Sequence, residues 1–249
     1  MNEPYGQGFE PENNTFYASQ GPDGVFSTNA RYETLAEYTA KTFGWMFAGL
    51  TVTFLVALAG YTSGIGILLL TTPLLFWGLA IAEIAVVMIM SARVHKIGVG
   101  SARGMFFLYA ALNGLVFSCY FYLYQMFDLV LAFGATALYF GIMAAYGYLT
   151  KKDLSGWAKP LFFGLIAMMI VSVIGMFFGG VNILLCCAGI VLFACYTAYD
   201  TQKIKAFHAY YGHDPEMAAK ASIFAALQLY LDFINLFLYL LRFLGRRRN

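Results

Sequence analysis

Long stretches without charged residues dominate the hydrophobic pattern of this chain. No Asp, Glu, Lys or Arg lies between Lys41 and Glu83 or between Lys159 and Asp200. The intervals 104–150 and 221–241 each contain a single aspartate. A membrane-spanning helix needs about 20 mostly apolar residues, so these intervals hold one to three spans each. None of them alternates polar and apolar residues as a barrel strand would, and we therefore predict helices.

Short polar or glycine-containing turns at 60–64, 126–128 and 179–182 divide these intervals. The predicted helices cover residues 38–59, 67–91, 104–125, 129–149, 160–178, 181–200 and 221–241. Because the three turns are short, helices 1 and 2, 3 and 4, and 5 and 6 are predicted to form hairpins. The sequence thus predicts an all-α polytopic membrane protein with seven transmembrane helices.

Residues 1–30 differ from the rest of the chain. They are rich in Asn, Gly, Pro, Glu and Gln and have neither an apolar core nor the basic start of a signal peptide. We interpret them as a polar, disordered cytoplasmic tail, and residues 31–249 as one seven-helix transmembrane domain.

The composition excludes a soluble globular protein. Of the 249 residues 61% are hydrophobic and 11% are charged, and the mean hydropathy is +0.69. Soluble domains carry roughly 25% charged residues. A net charge of +2 gives no indication of nucleic-acid binding. The four cysteines lie in apolar runs, and no phosphate-binding loop, nucleophile elbow or paired metal-binding His is present, so we expect neither an enzyme nor a bound cofactor.

The distribution of Lys and Arg predicts the orientation. The three hairpin turns contain none, whereas eleven lie before helix 1 or in the connections on the other side, which predicts a cytoplasmic amino terminus. Four arginines at the carboxyl terminus conflict with this rule, because seven full spans place them outside. Residues 221–241 extend about 31 Å as a helix, which favours a full span. The eleven residues are Arg31, Lys41, Arg93, Lys96, Arg103, Lys151, Lys152, Lys159, Lys203, Lys205 and Lys220.

Three acidic residues lie inside the predicted spans, where each charge costs a few kcal/mol or more. Glu83 lies deep in helix 2, Asp200 ends helix 6, and Asp232 lies near the middle of helix 7. Solvation at the cytoplasmic end of a helix is enough to explain Asp200 alone. It does not explain Asp232, which is therefore the strongest functional candidate.

Helix 7 also carries a polar stripe. Gln228, Asp232, Asn235 and Tyr239 are spaced by four, three and four residues, so they share one face of the helix. Such a face contacts protein or water rather than lipid, which predicts a central helix 7. An interhelical hydrogen-bond seam is the alternative explanation, especially for Gln228 and Asn235.

Arg93 and three histidines lie at or near the predicted cytoplasmic ends of the helices. Helices 2 and 6 run in the same direction, so Arg93 is level with Asp200 and an ion pair between them is expected. His95, His208 and His213 fall in or beside cytoplasmic loops without a second ligand at metal-binding spacing. We interpret them as solvated.

Three motifs resemble the transmembrane Bax inhibitor motif (Bax inhibitor-1) family over roughly residues 30–245. The motifs are Ser91-Ala92-Arg93 after Glu83, Tyr196-Thr197-Ala198-Tyr199-Asp200-Thr201-Gln202, and Leu227-Gln228-Leu229-Tyr230-Leu231-Asp232-Phe233-Ile234-Asn235-Leu236-Phe237. The resemblance implies a seven-helix fold with helix 7 enclosed by the other six, and a pH-sensitive calcium leak. It also implies a paired Asp200 and Asp232, a latch at Arg93 and a functional Glu83.

Two features depart from this family pattern. The connection from Lys203 to Lys220 looks longer than the expected tight turn, and the polar tail is not part of the common core. Eukaryotic members oppose cell death from the endoplasmic reticulum or Golgi, and some bacterial ones associate with membrane proteases. The short loops favour a bacterial member in the inner membrane.

The leading functional hypothesis is a proton-gated calcium leak. Two buried carboxylates cannot both ionise cheaply, so Asp200 and Asp232 are expected to share a proton and to close the cytoplasmic end together with Arg93. Deprotonation opens the gate and exposes the two aspartates as Ca²⁺ ligands. The expected ion pathway includes Glu83, Gln228, Asp232 and Asn235.

Two other functions compete with this one. The first is a non-conducting membrane regulator that binds a membrane protease or a cell-death or stress protein, and the second is a proton-coupled transporter of another solute. The expected surroundings are the lipid bilayer, Ca²⁺ and protons, and no nucleic acid. Asp232 separates the leading hypothesis from the regulator, which has no need of a mid-membrane charge.

The predicted topology is testable with reporter fusions. A reporter at Gly64 should be external and one at Lys152 cytoplasmic, because the basic residues flank only the second position. The opposite pattern would overturn the orientation. A reporter after Asn249 should be external if the last helix crosses the membrane, and a cytoplasmic signal there would exclude a seventh span.

Overall fold

The computed structural model describes residues 33–93, 96–177 and 183–245, and these are helical with no β-strand. The polar tail, His95, the turn at 179–182 and the arginines at 246–248 lie outside these ranges. The helices are α1 (Leu35–Thr62), α2 (Ile65–Thr71), α3 (Pro73–Arg93), α4 (Val99–Ser118), α5 (Tyr120–Leu123), α6 (Met126–Leu149), α7 (Ala158–Phe177), α8 (Ile183–Tyr211) and α9 (Pro215–Leu244), with a 3-10 turn at Ser155–Trp157.

Seven stretches of the described chain are long and apolar enough to cross a membrane. They are α1, α3, α4 extended by α5, α6, the 3-10 turn with α7, α8, and α9. This confirms the predicted all-α fold with seven candidate spans.

Pro73 changes the start of the second span. The helix predicted over 67–91 is wrong at its beginning, because α2 ends at Thr71 and α3 starts at Pro73. Proline has no backbone N–H to donate and disfavours the helical conformation of the preceding residue, here Thr72. The turn before α2 contains Gly64 at φ 79°, in the left-handed region that glycine adopts without strain.

The connection between the last two spans is short. α8 continues as a helix to Tyr211 and α9 begins at Pro215, so the long loop expected from Lys203 to Lys220 is wrong. The Asp214 side chain accepts hydrogen bonds from two backbone N–H groups of the first turn of α9, at 3.0 and 3.1 Å. An acidic N-cap followed by proline is a strong helix start, and it ends the connection within three residues.

The last helix is the most buried of the seven. In the 18-residue apolar stretch of α9, 67% of the residues are buried, against 6% in the corresponding stretch of α3 and 11% in that of α7. α9 packs mainly on α1, α4, α6 and α8, whereas α3 packs chiefly on α4 and α7 on α8. The central position of α9 agrees with its polar stripe, but its enclosure by all six other spans is not confirmed.

Glycine allows α8 to approach its neighbours closely. A Cβ atom at Gly147 of α6 would collide with the Ala198 carbonyl oxygen of α8. One at Gly189 of α8 would lie 2.6 Å from the Tyr239 ring of α9. Small residues at helix contacts are typical of membrane proteins, and here they bring α6, α8 and α9 together.

Gln202 fixes the loop between α6 and α7 to α8. Its side-chain oxygen accepts a hydrogen bond from the Leu154 backbone N–H at 2.7 Å, and its amide nitrogen donates to the Lys152 carbonyl at 2.7 Å. Leu154 is buried beneath this contact. Gln202, the last residue of the 196–202 motif, therefore anchors this loop to α8.

Replacing Gln202 with leucine should loosen this loop. The two lost hydrogen bonds are worth about 1 kcal/mol each, so amide hydrogen exchange at Leu154 should accelerate roughly tenfold or more. Gln125→Leu at the start of α6 is the control, because Gln125 makes no side-chain capping bond. Unchanged exchange in Gln202→Leu would show that the loop is held by other contacts.

Candidate functional site between the last two helices

Asp200 and Asp232 lie on facing sides of α8 and α9. Both side chains are buried, with 6% and 4% exposed, and the two carboxylates are close enough to interact electrostatically. The α8–α9 interface is the most extensive helix contact of the chain, and it isolates both carboxylates from water. The structure thus brings together the two aspartates that the sequence singled out.

Lys203 is the cation at this site. Its ammonium lies 3.9 Å from Asp200 Oδ1 and 3.4 Å from Gln228 Oε1. It also lies over the rings of Tyr199 and Phe207, at 5.8 and 5.3 Å from the ring centroids. The sequence analysis missed this contact, although the sequence indicates it. Lys203 follows Asp200 by three residues, and side chains at this spacing are neighbours on a helix.

One oxygen of Asp232 has no partner among the described residues. Asp232 Oδ2 is buried and accepts no hydrogen bond from this part of the chain, and the Thr201 hydroxyl on α8 is buried there without a partner as well. The Tyr196 hydroxyl is near enough to interact electrostatically with both aspartates. A buried carboxylate oxygen without a donor is costly. It favours either a proton on the carboxyl group or a bound cation.

The polar stripe of α9 runs along α8. Gln228 contacts Lys203, Asp232 faces Asp200, and the Tyr239 ring stacks on Phe193 of α8 at 5.9 Å between centroids. Asn235 donates to the carbonyl one turn earlier in its own helix at 2.8 Å. Three of the four stripe residues therefore contact α8, whereas the Asn235 amide nitrogen bonds within its own helix.

Glu83 belongs to a different cluster. Its carboxyl group is near enough to Tyr109 of α4 and Tyr230 of α9 to interact with them electrostatically. Its Oε1 is buried without a hydrogen-bond partner in the described chain. The Tyr230 and Thr53 hydroxyls are 2.6 Å apart. Tyr230 and Asp232 are two residues apart, about 200° around the helix, so the two acidic clusters lie on opposite sides of α9.

Arg93 does not reach the aspartates. Its side chain is exposed, and within the described chain it forms no ion pair. The expected Arg93–Asp200 ion pair is therefore absent from this structure. The prediction used only the depth of the two residues, whereas α3 packs laterally on α4, away from α8.

The two aspartates do not make a complete metal site. In the described parts of the chain, no group of three or more His, Cys, Asp or Glu side chains is placed to hold a metal ion. Ca²⁺ takes about six to eight oxygen ligands. Asp200 and Asp232 alone supply fewer oxygens than such a set requires.

Comparison with known proteins identifies the family. The family described as "Inhibitor of apoptosis-promoting Bax1" matches residues 35–249. The chain belongs to the Bax inhibitor-1 family. It is therefore a multi-pass integral membrane protein, and the family description names no enzymatic activity.

Bacterial members of this family match almost along their whole length. Inner membrane protein YbhL of Escherichia coli is 40% identical over 218 residues, which cover 86% of this chain and 93% of YbhL. A Borreliella burgdorferi protein is 38% identical, with the same coverage. A Deinococcus radiodurans protein is 35% identical over 85% of this chain and 91% of its own length.

Lys203→Met should destabilise the protein at neutral pH, because it leaves the buried carboxylates without their cation. The ammonium is partly exposed, so we expect a loss of about 1–2 kcal/mol in the free energy of unfolding. The loss should shrink toward acid pH, where protonated carboxyl groups need no cation. Thermal unfolding in detergent across this pH range measures both effects.

Arg93→Met is the matched control, since it removes a cation that is exposed and unpaired in the described structure. It should leave the unfolding midpoint unchanged at every pH. Equal losses in the two variants, or a loss in Lys203→Met that does not depend on pH, would contradict the assignment of Lys203.

Proposed function

We propose that the protein is a calcium leak channel of the cell membrane, gated by a proton that Asp200 and Asp232 share. The observation that carries the proposal is a buried pair of carboxylates with a single lysine and an unpartnered oxygen on Asp232. A hydrogen-bond seam between helices needs none of these charges. A cation or proton pathway needs carboxylates at membrane depth.

The charges at the site suggest how the gate closes. With one shared proton the two carboxylates carry one negative charge, which Lys203 balances. The neutral cluster is compatible with burial between α8 and α9. In this closed state Lys203 takes the part that the sequence hypothesis gave to Arg93.

Loss of the shared proton opens the gate. Two ionised carboxylates repel each other across the α8–α9 interface, and one lysine no longer balances them. The same event creates hard oxygen ligands for Ca²⁺ at Asp200 and Asp232, with the Gln228 and Asn235 oxygens beside them. Lys203 has a partly exposed side chain, and its ammonium moves toward water as Ca²⁺ takes its place.

The proposed pathway follows α8 and α9 and leaves out Glu83. That residue lies on the opposite side of α9, beside Tyr109 and Tyr230, so one pathway lined by both acidic clusters would have to cross the central helix. We further propose an inner-membrane location, as the name of inner membrane protein YbhL states for that relative, with the amino terminus in the cytoplasm.

A membrane-embedded regulator is the second candidate. The family description names the inhibition of another protein, and a regulator acts by binding a membrane partner such as a protease. The exposed apolar surface of α3, including Leu74, Ile81 and Met88, is available for such contacts as well as for lipid. This function gives no reason for the buried aspartates, and it therefore ranks second.

Calcium flux into liposomes that contain the purified protein tests the channel. The wild type should leak little at acid pH and more as the pH rises through the range where the pair loses its proton. Asp232→Asn and Asp200→Asn should each abolish this pH dependence, and the double variant should add little because coupled sites are not additive.

Asp153→Asn is the control, because Asp153 lies in the exposed loop after α6. The asparagine oxygen can still accept from the Ser155 backbone N–H, and its NH2 group can donate to the Ser155 hydroxyl. Its flux should match that of the wild type. A folded double variant with normal pH-dependent flux would refute the proposed gate. No flux from folded wild-type protein at any pH would favour the regulator.

A further inference from the structure

The last turn of α8 is bonded to the residue that lies just before the α1 cap. His208 Nε2 lies 2.8 Å from the backbone carbonyl oxygen of Glu33. A carbonyl oxygen can only accept a hydrogen bond, so the imidazole carries a hydrogen on Nε2 and donates it. His208 is half-buried, and the expectation that it is solvated in or beside a loop is therefore wrong.

The first turn of α1 contacts the same imidazole. Tyr38 is fully buried, and its ring centroid lies 5.4 Å from that of His208, with 53° between the two ring planes. This turn is held by a capping box, in which the Glu37 N–H donates to Thr34 Oγ1 at 3.2 Å and the Thr34 N–H donates to Glu37 Oε2 at 2.9 Å. His208 thus binds a capped helix start through both its ring and its Nε2 atom.

The charged groups of the neighbouring elements are largely paired with one another. The Glu33 carboxylate binds the Lys41 ammonium of α1 at 3.2 Å, and Glu216 and Lys220 of α9 pair at 3.0 Å. Neither pair contributes much net charge. The titratable and charged groups on the elements around His208 are Glu33, Tyr38 and Lys41 at the start of α1, Tyr211 at the end of α8, His213 and Asp214 in the connection, and Glu216 and Lys220 at the start of α9.

A second proton on the imidazole strengthens this contact. The Nε2–H group still donates to the Glu33 carbonyl, but the bond becomes charge-assisted, and such bonds are roughly twice as strong as neutral ones. The charge also lies in the last turn of α8, where the helix dipole favours a cation. Histidine ordinarily gains this charge between about pH 5 and 8. The contact is therefore stronger in acid and weakens as the pH rises through this range.

We propose that His208 and Glu33 form a clamp between the end of α8 and the start of α1, and that acidification tightens this clamp. Asp200 lies eight residues earlier on α8, about 12 Å along the helix, so the clamp holds the helix that carries it. The effect on flux rests on the proposed function, in which acid closes the gate. Acid then acts twice in the same direction, by protonating the aspartate pair and by holding α8 against α1.

Amide hydrogen exchange of the full-length protein in detergent measures the clamp. The backbone N–H of Tyr38 donates to the Thr34 carbonyl at 2.9 Å, so its exchange reports opening of the first turn of α1. After correction for the intrinsic pH dependence of exchange, the wild type should be protected roughly fivefold more at about pH 5.5 than at about pH 8, because the charged imidazole donates the stronger bond.

Two variants of His208 separate its charge from its hydrogen bond. His208→Gln keeps a neutral N–H donor, so its protection should match that of the wild type at the higher pH and should not change with pH. His208→Leu removes the donor and should lower the protection at both pH values. His213→Gln, in the exposed connection after α8, is the matched control and should keep the wild-type response. Thermal unfolding checks that each variant is folded, and His208→Gln alone decides the test if His208→Leu does not fold.

Calcium flux into liposomes distinguishes the clamp from the channel. His208→Gln should raise the flux at acid pH about twofold to fivefold, because the closed state loses its charge-assisted bond, and the response that depends on Asp200 and Asp232 should remain. Unchanged acid flux in this variant would show that the clamp does not act on the gate. pH-dependent protection in a protein that conducts nothing supports the clamp and counts only against the channel.

Three outcomes would overturn the proposal. One is wild-type protection that stays the same at both pH values, which would make the His208–Glu33 bond a purely structural contact. Another is a wild-type pH response in His208→Gln, which has no imidazole to titrate. A third is a response that is kept in His208→Gln and lost in His213→Gln, since the sensor would then be the other histidine.

Discussion

The charge imbalance between α8 and α9 is the constraint on which the rest of the structure depends. Two buried carboxylates meet one partly exposed ammonium at the most extensive helix interface of the described chain, beside an oxygen that no described residue satisfies. Burial costs least when the net charge is near zero, so a shared proton or a bound cation would stabilise the cluster. Both aspartates are buried where α8 packs on the central helix α9.

The architecture divides the polar chemistry of the membrane interior into separate regions. The aspartates face α8 on one side of α9, and Glu83, Tyr109, Tyr230 and Thr53 form a cluster on another. An apolar groove between α1 and α6 lies over a third face of the same helix, at Phe233. One central helix thus presents a titratable face, a hydroxyl-rich face and an apolar face to different neighbours.

The sequence predicted those parts of the fold that follow from local physical rules. Intervals without charge define the seven spans, and the spacing of Gln228, Asp232 and Tyr239 identifies the face of α9 that contacts α8. Residues 201–211 were wrongly predicted to lie outside a helix, because the first charged residues were taken to mark the helix end. α8 instead continues past Lys203 and Lys205. The Arg93 prediction failed because sequence gives depth along a helix but not the lateral order of helices. Gln202 and the groove depend on tertiary packing, which no local pattern encodes.

The most direct test of the shared proton is infrared spectroscopy of the carboxyl groups in the membrane-reconstituted protein. The wild type at acid to neutral pH should show the C=O band of a protonated, buried carboxylic acid. This band should disappear as the pH rises, and should shift or vanish in Asp232→Asn and in Asp200→Asn. A protonated-carboxyl band that is unchanged in both variants, or its absence from the wild type throughout this range, would contradict the account.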